Sequence, residues 1–415
     1  MNFKLTTSIT FIQLLKKMFI FIIGIPLFTF HLNAQSKPER LDSMLTALYK
    51  NNQFSGTVLV AEKGKIVFSK SFGWADFENK DTLKLNTTMP IASITKQFTA
   101  MGIMMLKERG LLNYDDNIKK YLPEVDQKNV TIRHLLNHTS GLDINGSNKG
   151  FRYMEKNAIS KDGISIIDKE LMLKCYSKKI PQPDFIPPGK KFQYSNGGYT
   201  LLASIIERVS GLSYCEFMQK NIFDPVQMRN TFILRPAIMN DKKVAYSYKL
   251  SLFKGLKRVT DYYNKDQPIK KLVLLDGDKH IYSTVEDMFK WDQALYTELL
   301  VSKKTLKEAF TPGILNDGKK NYYGFGWFLF PGKDSAIVEH TGGIENYSSG
   351  FQRRTANGST TILLLNAHPY NLGPVWTGML NVLNNEPFNP YVFPKKTILE
   401  KMTYRKFKKH IEIKT

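Results

Sequence analysis

Segments with strand-like patterns lie at both ends of this chain, and helical patterns fill the middle. Residues 55–76, SGTVLVAEKGKIVFSKSFGWAD, have the pattern of two strands around the turn EKGK. The last third contains YGFGWFLF, AIVEHTG, YSSGFQRR and TTILLLN, with TANGST as a turn between the last two. This order predicts an α+β fold, in which the N- and C-terminal strands form one antiparallel sheet flanked by helices, with a mainly helical region inserted between them.

The middle of the chain carries the periodicity and end signals of amphipathic helices. The helical segments are SITKQFTAMGIMMLKERG from Ser93, TIRHLLNHTSG from Thr131, GGYTLLASIIERVSG up to Gly211, and TVEDMFKWDQALYTE at residues 284–298. VWTGMLNVLNN is helical again after the last strand. No linker divides these segments, so we expect one composite domain over residues 35–390.

The first 34 residues have the plan of a secretory signal peptide. Three lysines precede the apolar run MFIFIIGIPLFTF, and HLNAQS follows it, with cleavage expected after Ala34. The run is shorter than the roughly 20 residues that a membrane-spanning helix needs. We therefore expect an exported protein, periplasmic or secreted, with no stable membrane span after cleavage. An uncleaved anchor is the alternative, because Leu32 is a poor match to the small residue of a cleavage site.

The formal charge of the chain is +22, and most of the excess is lysine scattered along the sequence. In an exported protein such a charge suits cell-envelope polymers or lipid head groups as partners. The lysines lack the aromatic interleaving of a nucleic-acid groove, so no nucleic-acid partner is expected, and a solvated basic surface is the favoured interpretation. Only residues 391–415, the predicted C-terminal tail, concentrate the charge.

Ser93 and Lys96 are spaced three apart at the start of an apolar helical run. A helix N-terminus favours a developing anion, and a lysine one turn on projects from the same face as the serine. Partial burial of that lysine would lower its pKa toward that of a useful base for a serine nucleophile. The bland alternative is a capping serine with a lysine whose stem alone is buried.

Two further segments carry polar residues that suit the same chemistry. PPGKKFQYSNGGY places Tyr194 and Asn196 two apart in an extended segment before a helix, so both can point to one side. EHTGG, residues 339–343, is a glycine-rich strand end where a substrate could approach the backbone as an added strand.

Serine with lysine, then Tyr-x-Asn, then a basic or imidazole residue before Thr-Gly, is an ordered three-part signature. On these motifs the chain resembles the class C β-lactamase-related serine hydrolases, the group that includes β-lactamases, D-alanyl-D-alanine carboxypeptidases and penicillin-binding proteins. The resemblance covers about residues 40–385. It extends to TIRHLLNHTSGL, IFDPVQMRNT, IYSTVEDMFKW and YGFGW, which are similar to framework segments of that family in the same order.

The resemblance implies an acyl-enzyme mechanism without a cofactor or metal, on a small-molecule or peptide substrate. It assigns the catalytic roles to Ser93 as nucleophile and to Lys96 and Tyr194 as acid and base. It assigns substrate binding to Asn196, His340, Thr341 and Gly342, and the oxyanion hole to the backbone N–H groups of Ser93 and Gly343. The alternative is a non-catalytic relative that binds cell-envelope polymer.

One position departs from the pattern of many β-lactamases in that group. His340 stands where those enzymes have the lysine of Lys-Thr-Gly. Without that fixed ammonium, recognition of a β-lactam carboxylate is less assured. We therefore expect an amide or ester substrate, such as a D-amino-acid peptide, before efficient hydrolysis of antibiotics.

Other motifs are set aside. His134 and His138 are four apart, but HLLNH lacks the glutamate of the zinc motif H-E-x-x-H, and His138 is interpreted as part of a helix stop. GILNDGKK lacks the Ser or Thr of a phosphate-binding loop, and no G-x-S-x-G is present. The only two cysteines, Cys175 and Cys215, could form a disulfide or remain buried thiols.

Overall fold

A computed structural model describes most of the chain between residues 35 and 386. The described ranges are 35–51, 53–126, 129–142, 153–161, 164–177, 186–235, 244–251, 255–258, 271–331, 337–368 and 372–386. The predicted signal peptide, residues 1–34, and the predicted tail, residues 391–415, lie outside them. Within these ranges, no helix combines the length and apolar character needed to cross a membrane.

The helices and strands follow the predicted order along the chain, with strands near both ends and helices mainly in the middle. The helices are α1 Lys37–Lys50, α2 Thr95–Glu108, α3 Ile132–Leu136, α4 Lys169–Cys175, α5 Asn196–Ser210, α6 Tyr214–Met218, α7 Val285–Ala294, α8 Lys303–Ala309 and α9 Leu372–Leu383. The strands are β1 Gly56–Glu62, β2 Lys65–Phe72, β3 Trp74–Asp76, β4 Asp81–Thr82, β5 Met89–Pro90, β6 Ile159–Lys161, β7 Ile164–Asp168, β8 Phe232–Ile233, β9 Tyr248–Ser251, β10 Gly255–Arg258, β11 Lys271–Leu274, β12 Ile281–Ser283, β13 Gly313–Ile314, β14 Lys320–Asn321, β15 Phe328–Phe330, β16 Ile337–Ile344, β17 Tyr347–Arg354, β18 Ser359–Leu365 and β19 Ala367–His368.

The two ends of the chain meet in one six-stranded sheet, in the order β15-β16-β17-β18-β1-β2. Every neighbouring pair in it is antiparallel, and β1 joins the two ends by pairing with both β2 and β18. The predicted fold class is therefore confirmed: N- and C-terminal strands form one antiparallel sheet, and a mainly helical region is inserted between them.

This sheet is buried on both faces, because side chains on a strand alternate between the faces. Val58 and Val60 of β1 belong to the apolar cluster formed with α1 and α9. Leu59 and Ala61, the intervening residues, belong to the larger cluster that includes α2, α5 and α7. Helix α2 lies on this second side of the sheet.

Helix α2 is buried almost all round, which explains why its sequence is apolar on every face rather than on one stripe. Gly102 is needed where α2 approaches α5 and α6, because a Cβ there would lie 2.9 Å from Ile206 Cδ1 and 3.1 Å from Phe217 Cε1. Phe98 stacks on Trp291 of α7 with ring centroids 4.3 Å apart. The helix is thus held from several sides at once.

Several elements differ from the sequence-based expectation. Helix α3 ends at Leu136 rather than at Gly141, because His138 adopts a left-handed backbone conformation with φ +55° that ends the helical path. Helices α1 and α8 and the short strands β6 to β11 were not predicted. Of the two alternatives that the sequence left open for Cys175 of α4 and Cys215 of α6, the structure has free thiols.

A buried ion pair fastens the sheet to the helical region. Arg353 of β17 donates from Nε to Asp292 Oδ1 of α7 at 2.5 Å, and the two side chains are 1% and 0% exposed. The guanidinium also lies over the ring of Tyr296, 4.5 Å from its centroid. Removing one member of such a pair leaves the other charge buried without compensation.

We expect Arg353→Met to lower the free energy of unfolding by about 3–5 kcal/mol, because it strands the carboxylate of Asp292 in the core. Urea denaturation of the purified variant measures this. Lys70→Met is the matched control, since its ion pair with Asp42 is 45% exposed on each side and should contribute less than about 1 kcal/mol. Equal losses in the two variants would contradict a structural role for the buried pair.

Candidate active site

Ser93 lies in a short 3₁₀ turn, Ala92–Ile94, that leads directly into α2. Its side chain is half-buried, whereas both neighbours in the turn are buried. Ala92 has φ +48°, a left-handed conformation that costs a non-glycine residue about 1–2 kcal/mol. Two hydrogen bonds at Ile91 hold the start of this turn in place. Ile91 N–H donates to Ile281 O at 2.9 Å, and Ser349 Oγ donates to Ile91 O at 2.8 Å.

The amine of Lys96 is buried and surrounded by three oxygen atoms. Its Nζ lies 3.3 Å from Ser93 Oγ, 2.7 Å from Asn196 Oδ1 and 3.0 Å from the backbone oxygen of Asp278. The side chain is 0% exposed, so it is not a lysine with only its stem buried. The amide oxygen and the carbonyl can only accept hydrogen bonds, so they fix the amine with its third direction toward the serine.

Burial lowers the pKa of Lys96 from its usual value near 10.5 to about 7. The carboxylate of Asp278 opposes this shift, and the ammonium of Lys279 adds to it. Near neutral pH the side chain is therefore divided between the ammonium and the free amine, which is the condition for a general base.

Tyr194 lies just before α5 and reaches the same serine. Its hydroxyl is hydrogen-bonded with Ser93, and Lys96 Nζ lies 4.9 Å from the centre of its ring. Burial raises the pKa of the Tyr194 hydroxyl, although the hydrogen bond with Ser93 opposes that shift. The tyrosine is therefore a protonated phenol at neutral pH, able to donate its proton.

The glycine-rich segment of β16 lies against the turn that carries Ser93. Gly342 is buried, and a Cβ on it would come within 2.6 Å of Ile91 O and 2.9 Å of Ala92 Cβ. Thr341 and Gly343 are exposed, and a Cβ on Gly343 would meet nothing within 4 Å. Alternation along the strand therefore presents Thr341 and Gly343 to solvent and Gly342 to the base of the site.

The outer edge of β16 is uncovered along this segment. Strand β15 pairs only with Ile337 to Glu339, whereas β17 pairs with the whole of β16 on the inner side. From His340 to Ile344, therefore, no strand in the described ranges pairs with the outer edge. An edge of this kind can accept an extended peptide as an additional strand.

His340 occupies a different position from the one expected for a group that touches substrate. Its side chain is 1% exposed, with Nε2 3.0 Å from the Tyr323 hydroxyl and Nδ1 2.6 Å from the Thr341 carbonyl oxygen. Because the carbonyl can only accept, Nδ1 carries the proton and Nε2 accepts from the tyrosine. Burial, with a smaller effect of Lys96, lowers the pKa of His340 to about 3, so the imidazole is neutral.

The structure thus brings together Ser93, Lys96, Tyr194 and Asn196, with the Thr341–Gly343 backbone beside them. It adds three residues that sequence reasoning did not assign to the site, namely Asp278, Tyr323 and His138. Asp278 acts on Lys96 through its backbone oxygen, which accepts a hydrogen bond, and through its carboxylate, which opposes the fall in the pKa of Lys96. The only available signal for His138 was its place in the framework segment TIRHLLNHTSGL.

Residues 41–375 match the family model described as Beta-lactamase. The chain belongs to the β-lactamase family. Two curated relatives from Bacillus subtilis (strain 168) are similar along most of their length. Penicillin-binding protein 4* is 36% identical over 80% of this chain and 72% of its own, and the putative penicillin-binding protein PbpX is 31% identical over 85% and 81%.

Solved structures of family members superpose on this β-lactamase-family chain. The octameric penicillin-binding protein homologue from Pyrococcus abyssi has a TM-score of 0.67 at 25% identity, over 85% of this chain and 78% of its own. The D-amino acid amidase from Ochrobactrum anthropi SV3 has a TM-score of 0.65 at 21% identity, over 85% and 99%. The second likeness bears on the fold alone.

We expect Gly342→Ala to lower the free energy of unfolding by about 2 kcal/mol or more, because its methyl group would overlap the backbone of the Ser93 turn. Gly343→Ala, one residue further along the same strand, should change it by less than about 0.5 kcal/mol, because the methyl group would enter open space. Urea denaturation of both purified variants measures the difference. Equal stability would show that β16 does not pack against the turn as described.

Proposed function

We propose that this β-lactamase-family protein is an exported serine hydrolase that cleaves an amide or ester through an acyl-enzyme on Ser93. The observation that carries the proposal is the buried amine of Lys96, 3.3 Å from Ser93 Oγ. When this amine is neutral, its two N–H bonds serve Asn196 and Asp278, and its lone pair faces the serine. Because Asn196 and Asp278 already satisfy both N–H bonds, the fold does not require the serine as a third partner. The free lone pair can instead remove the proton of the serine hydroxyl.

In the proposed reaction, Lys96 takes the proton as Ser93 Oγ attacks the substrate carbonyl. The backbone N–H groups of Ser93 and Gly343 stabilise the oxyanion, and each such donor contributes about 3 kcal/mol to transition-state stabilisation. Tyr194 gives its proton to the leaving amine or alcohol, and Lys96 restores that proton. Water then attacks the ester carbonyl of the acyl-enzyme, passes a proton to the same acid and base pair, and releases the acid and free Ser93.

Substrate binding is assigned to Asn196, to Thr341 and Gly342 on the open edge of β16, and to His340 from beneath. Because His340 is neutral and buried, it acts by holding Tyr323 and the strand rather than by attracting a carboxylate. The resulting lack of a fixed cation favours amides and esters over β-lactams with an obligatory carboxylate. A D-amino acid amidase shares the fold, and the substrate we propose is a D-amino-acid peptide, amide or ester.

Export and the domain boundaries belong to the same proposal. Residues 1–34 would be removed as a signal peptide, residues 35–390 would form the hydrolase domain, and residues 391–415 would remain as a basic tail. Two penicillin-binding relatives support a place in the cell envelope. There the formal charge of +22 would favour contact with anionic envelope polymer.

We expect wild-type protein to be labelled covalently by a fluorescent fluorophosphonate, and Ser93→Ala to lose both the labelling and all turnover of p-nitrophenyl acetate. Thermal stability should change by less than about 1 kcal/mol, because the serine is half-buried and contributes mainly to the local turn. Ser140→Ala is the matched serine control and should label normally. A wild type that neither labels nor hydrolyses would favour the alternative, a non-catalytic protein that binds envelope polymer. Turnover that persists in Ser93→Ala would exclude Ser93 as the nucleophile.

The pKa of Lys96 predicts how kcat/KM depends on pH. The free amine is the active form, so kcat/KM should fall about tenfold per pH unit below pH 7, the value set by its pKa of about 7. Asn196→Asp would place a carboxylate beside the amine, at the position that now accepts its hydrogen bond at 2.7 Å. This charge should raise the pKa of Lys96 and move the acidic limb of the profile at least about one unit toward higher pH.

The pH dependence of kcat/KM for p-nitrophenyl acetate measures this shift in wild type and variant. Asn51→Asp makes the same change at an exposed position just after α1, on the opposite side of the sheet, and should leave the profile in place. An unchanged acidic limb in Asn196→Asp would remove Lys96 as the titrating base.

A further inference from the structure

His138 is a buried histidine that the proposed reaction does not use. It follows α3 by two residues, is 0% exposed and has the left-handed φ of +55° noted above. Its ring lies beneath that of Tyr194, with centroids 4.2 Å apart and planes inclined by 38°. Packing alone is one possible role for such a residue, and its polar contacts decide whether it has another.

Two polar contacts of His138 lie on either side of Tyr194. The backbone oxygen of His138 accepts from Gln193 N–H at 2.7 Å, and its ring Nδ1 accepts from Ser195 N–H at 3.1 Å. The residues immediately before and after the tyrosine are therefore both bound to one histidine. Together with the ring contact, these bonds restrain Tyr194 in position and in orientation.

The second contact also determines the tautomer of His138. A backbone N–H can only donate, so Nδ1 must be the unprotonated nitrogen and Nε2 must carry the proton. Among the described residues, Nε2 has no hydrogen-bond partner, and the ring lies 4.5 Å from that of Tyr323 and 5.0 Å from that of Tyr199, centroid to centroid. Burial lowers the pKa of His138 well below its usual value, with smaller effects of Lys96 and His340, so the ring stays neutral.

A role limited to packing does not explain these features. A buried N–H without a partner costs about 1–3 kcal/mol, a cost that an apolar side chain of similar size would avoid. His134, one turn earlier, shows the contrast, because its Nδ1 contacts Thr131 at the start of α3. Position 138 combines an acceptor for Ser195 N–H with a flat ring against Tyr194, and an imidazole supplies both.

We propose that His138 is a positioning residue for Tyr194, which fixes the tyrosine hydroxyl where it can protonate the leaving group after attack by Ser93. The proposal rests on the proposed function, because it takes Tyr194 as the acid. A displacement of about 1 Å in a reacting group can cost about a hundredfold in rate, so an aligned backbone on both sides of the tyrosine has a direct effect on catalysis.

Two variants separate the bond to Ser195 from simple volume. In His138→Asn the side-chain oxygen branches from Cγ as Nδ1 does, so it can accept from Ser195 N–H, and asparagine tolerates a positive φ. In His138→Gln the atom at the position of Nδ1 is a carbon, so the acceptor for Ser195 N–H is lost. The volume of glutamine is nevertheless closer to that of histidine than the volume of asparagine is. His134→Asn, in the helix α3 that precedes His138, is the matched control.

Two esters of one acid report on the tyrosine. p-Nitrophenyl acetate and ethyl acetate form the same acetyl-enzyme, but p-nitrophenolate leaves as a stable anion whereas ethoxide must be protonated as it leaves. We expect His138→Gln to lower kcat/KM for ethyl acetate by about thirtyfold or more and for p-nitrophenyl acetate by no more than about threefold, since general acid catalysis contributes about 10²–10⁴. His138→Asn should stay within about fivefold of wild type on both esters, and His134→Asn should match wild type.

Equal losses on the two esters in His138→Gln would overturn the inference and leave His138 with a packing role. If that variant does not fold, the tautomer of wild-type His138 decides, as read from nitrogen-detected NMR of the protein labelled with ¹⁵N-histidine. The inference requires a proton on Nε2 and none on Nδ1, and the opposite tautomer would exclude the bond to Ser195. Failure of the proposed function has a different signature, because wild type itself would then show no fluorophosphonate labelling at Ser93.

Discussion

The burial of one amine is the constraint on which the rest of the site depends. Lys96 can remain in the interior only because Asn196 and the backbone of Asp278 accept its hydrogen bonds, and because its pKa falls to about 7. These two partners come from positions 100 and 182 residues away along the chain. Removing Lys96 from water therefore requires that two distant segments fold against α2, so the site forms only when the tertiary structure forms.

The serine depends on the same arrangement from the other side. Its turn contains Ala92 in an unfavourable backbone conformation, which persists because β12, β17 and the glycine of β16 hold it. The turn thus takes its shape from strands far along the chain rather than from its own residues. The sheet supplies the rigid support, α2 supplies Lys96, and the segment that leads into α5 supplies Tyr194.

Local patterns predicted a large part of this molecule. The period-two runs near residues 55–76 and 336–366 predicted the sheet, and the spacing of Ser93 and Lys96 predicted their shared helix face, because these signals depend on neighbours in sequence. The environment of His340 was not predictable in this way, because its ring contacts Tyr323 on another segment, 17 residues earlier in the chain. Asp278 acts on Lys96 through both its carbonyl group and its carboxylate, and no local pattern shows a contact between residues 182 positions apart. Among the short strands β6 to β11, β7 pairs with β11 about a hundred residues further along the chain, and few residues in each strand carry a periodic signal.

The uncovered edge of β16 has a further consequence for the behaviour of the protein at high concentration. Unpaired N–H and C=O groups along a strand can join to another copy of the same strand as easily as to a substrate, and many proteins protect such edges by covering them. This edge must stay open if it serves substrate. The formal charge of +22 offers a different protection, because like-charged molecules repel one another before their edges can meet. Salt screens that repulsion, so solubility should fall as ionic strength rises, and the openness of the cleft would then limit how the protein can be stored and crystallised.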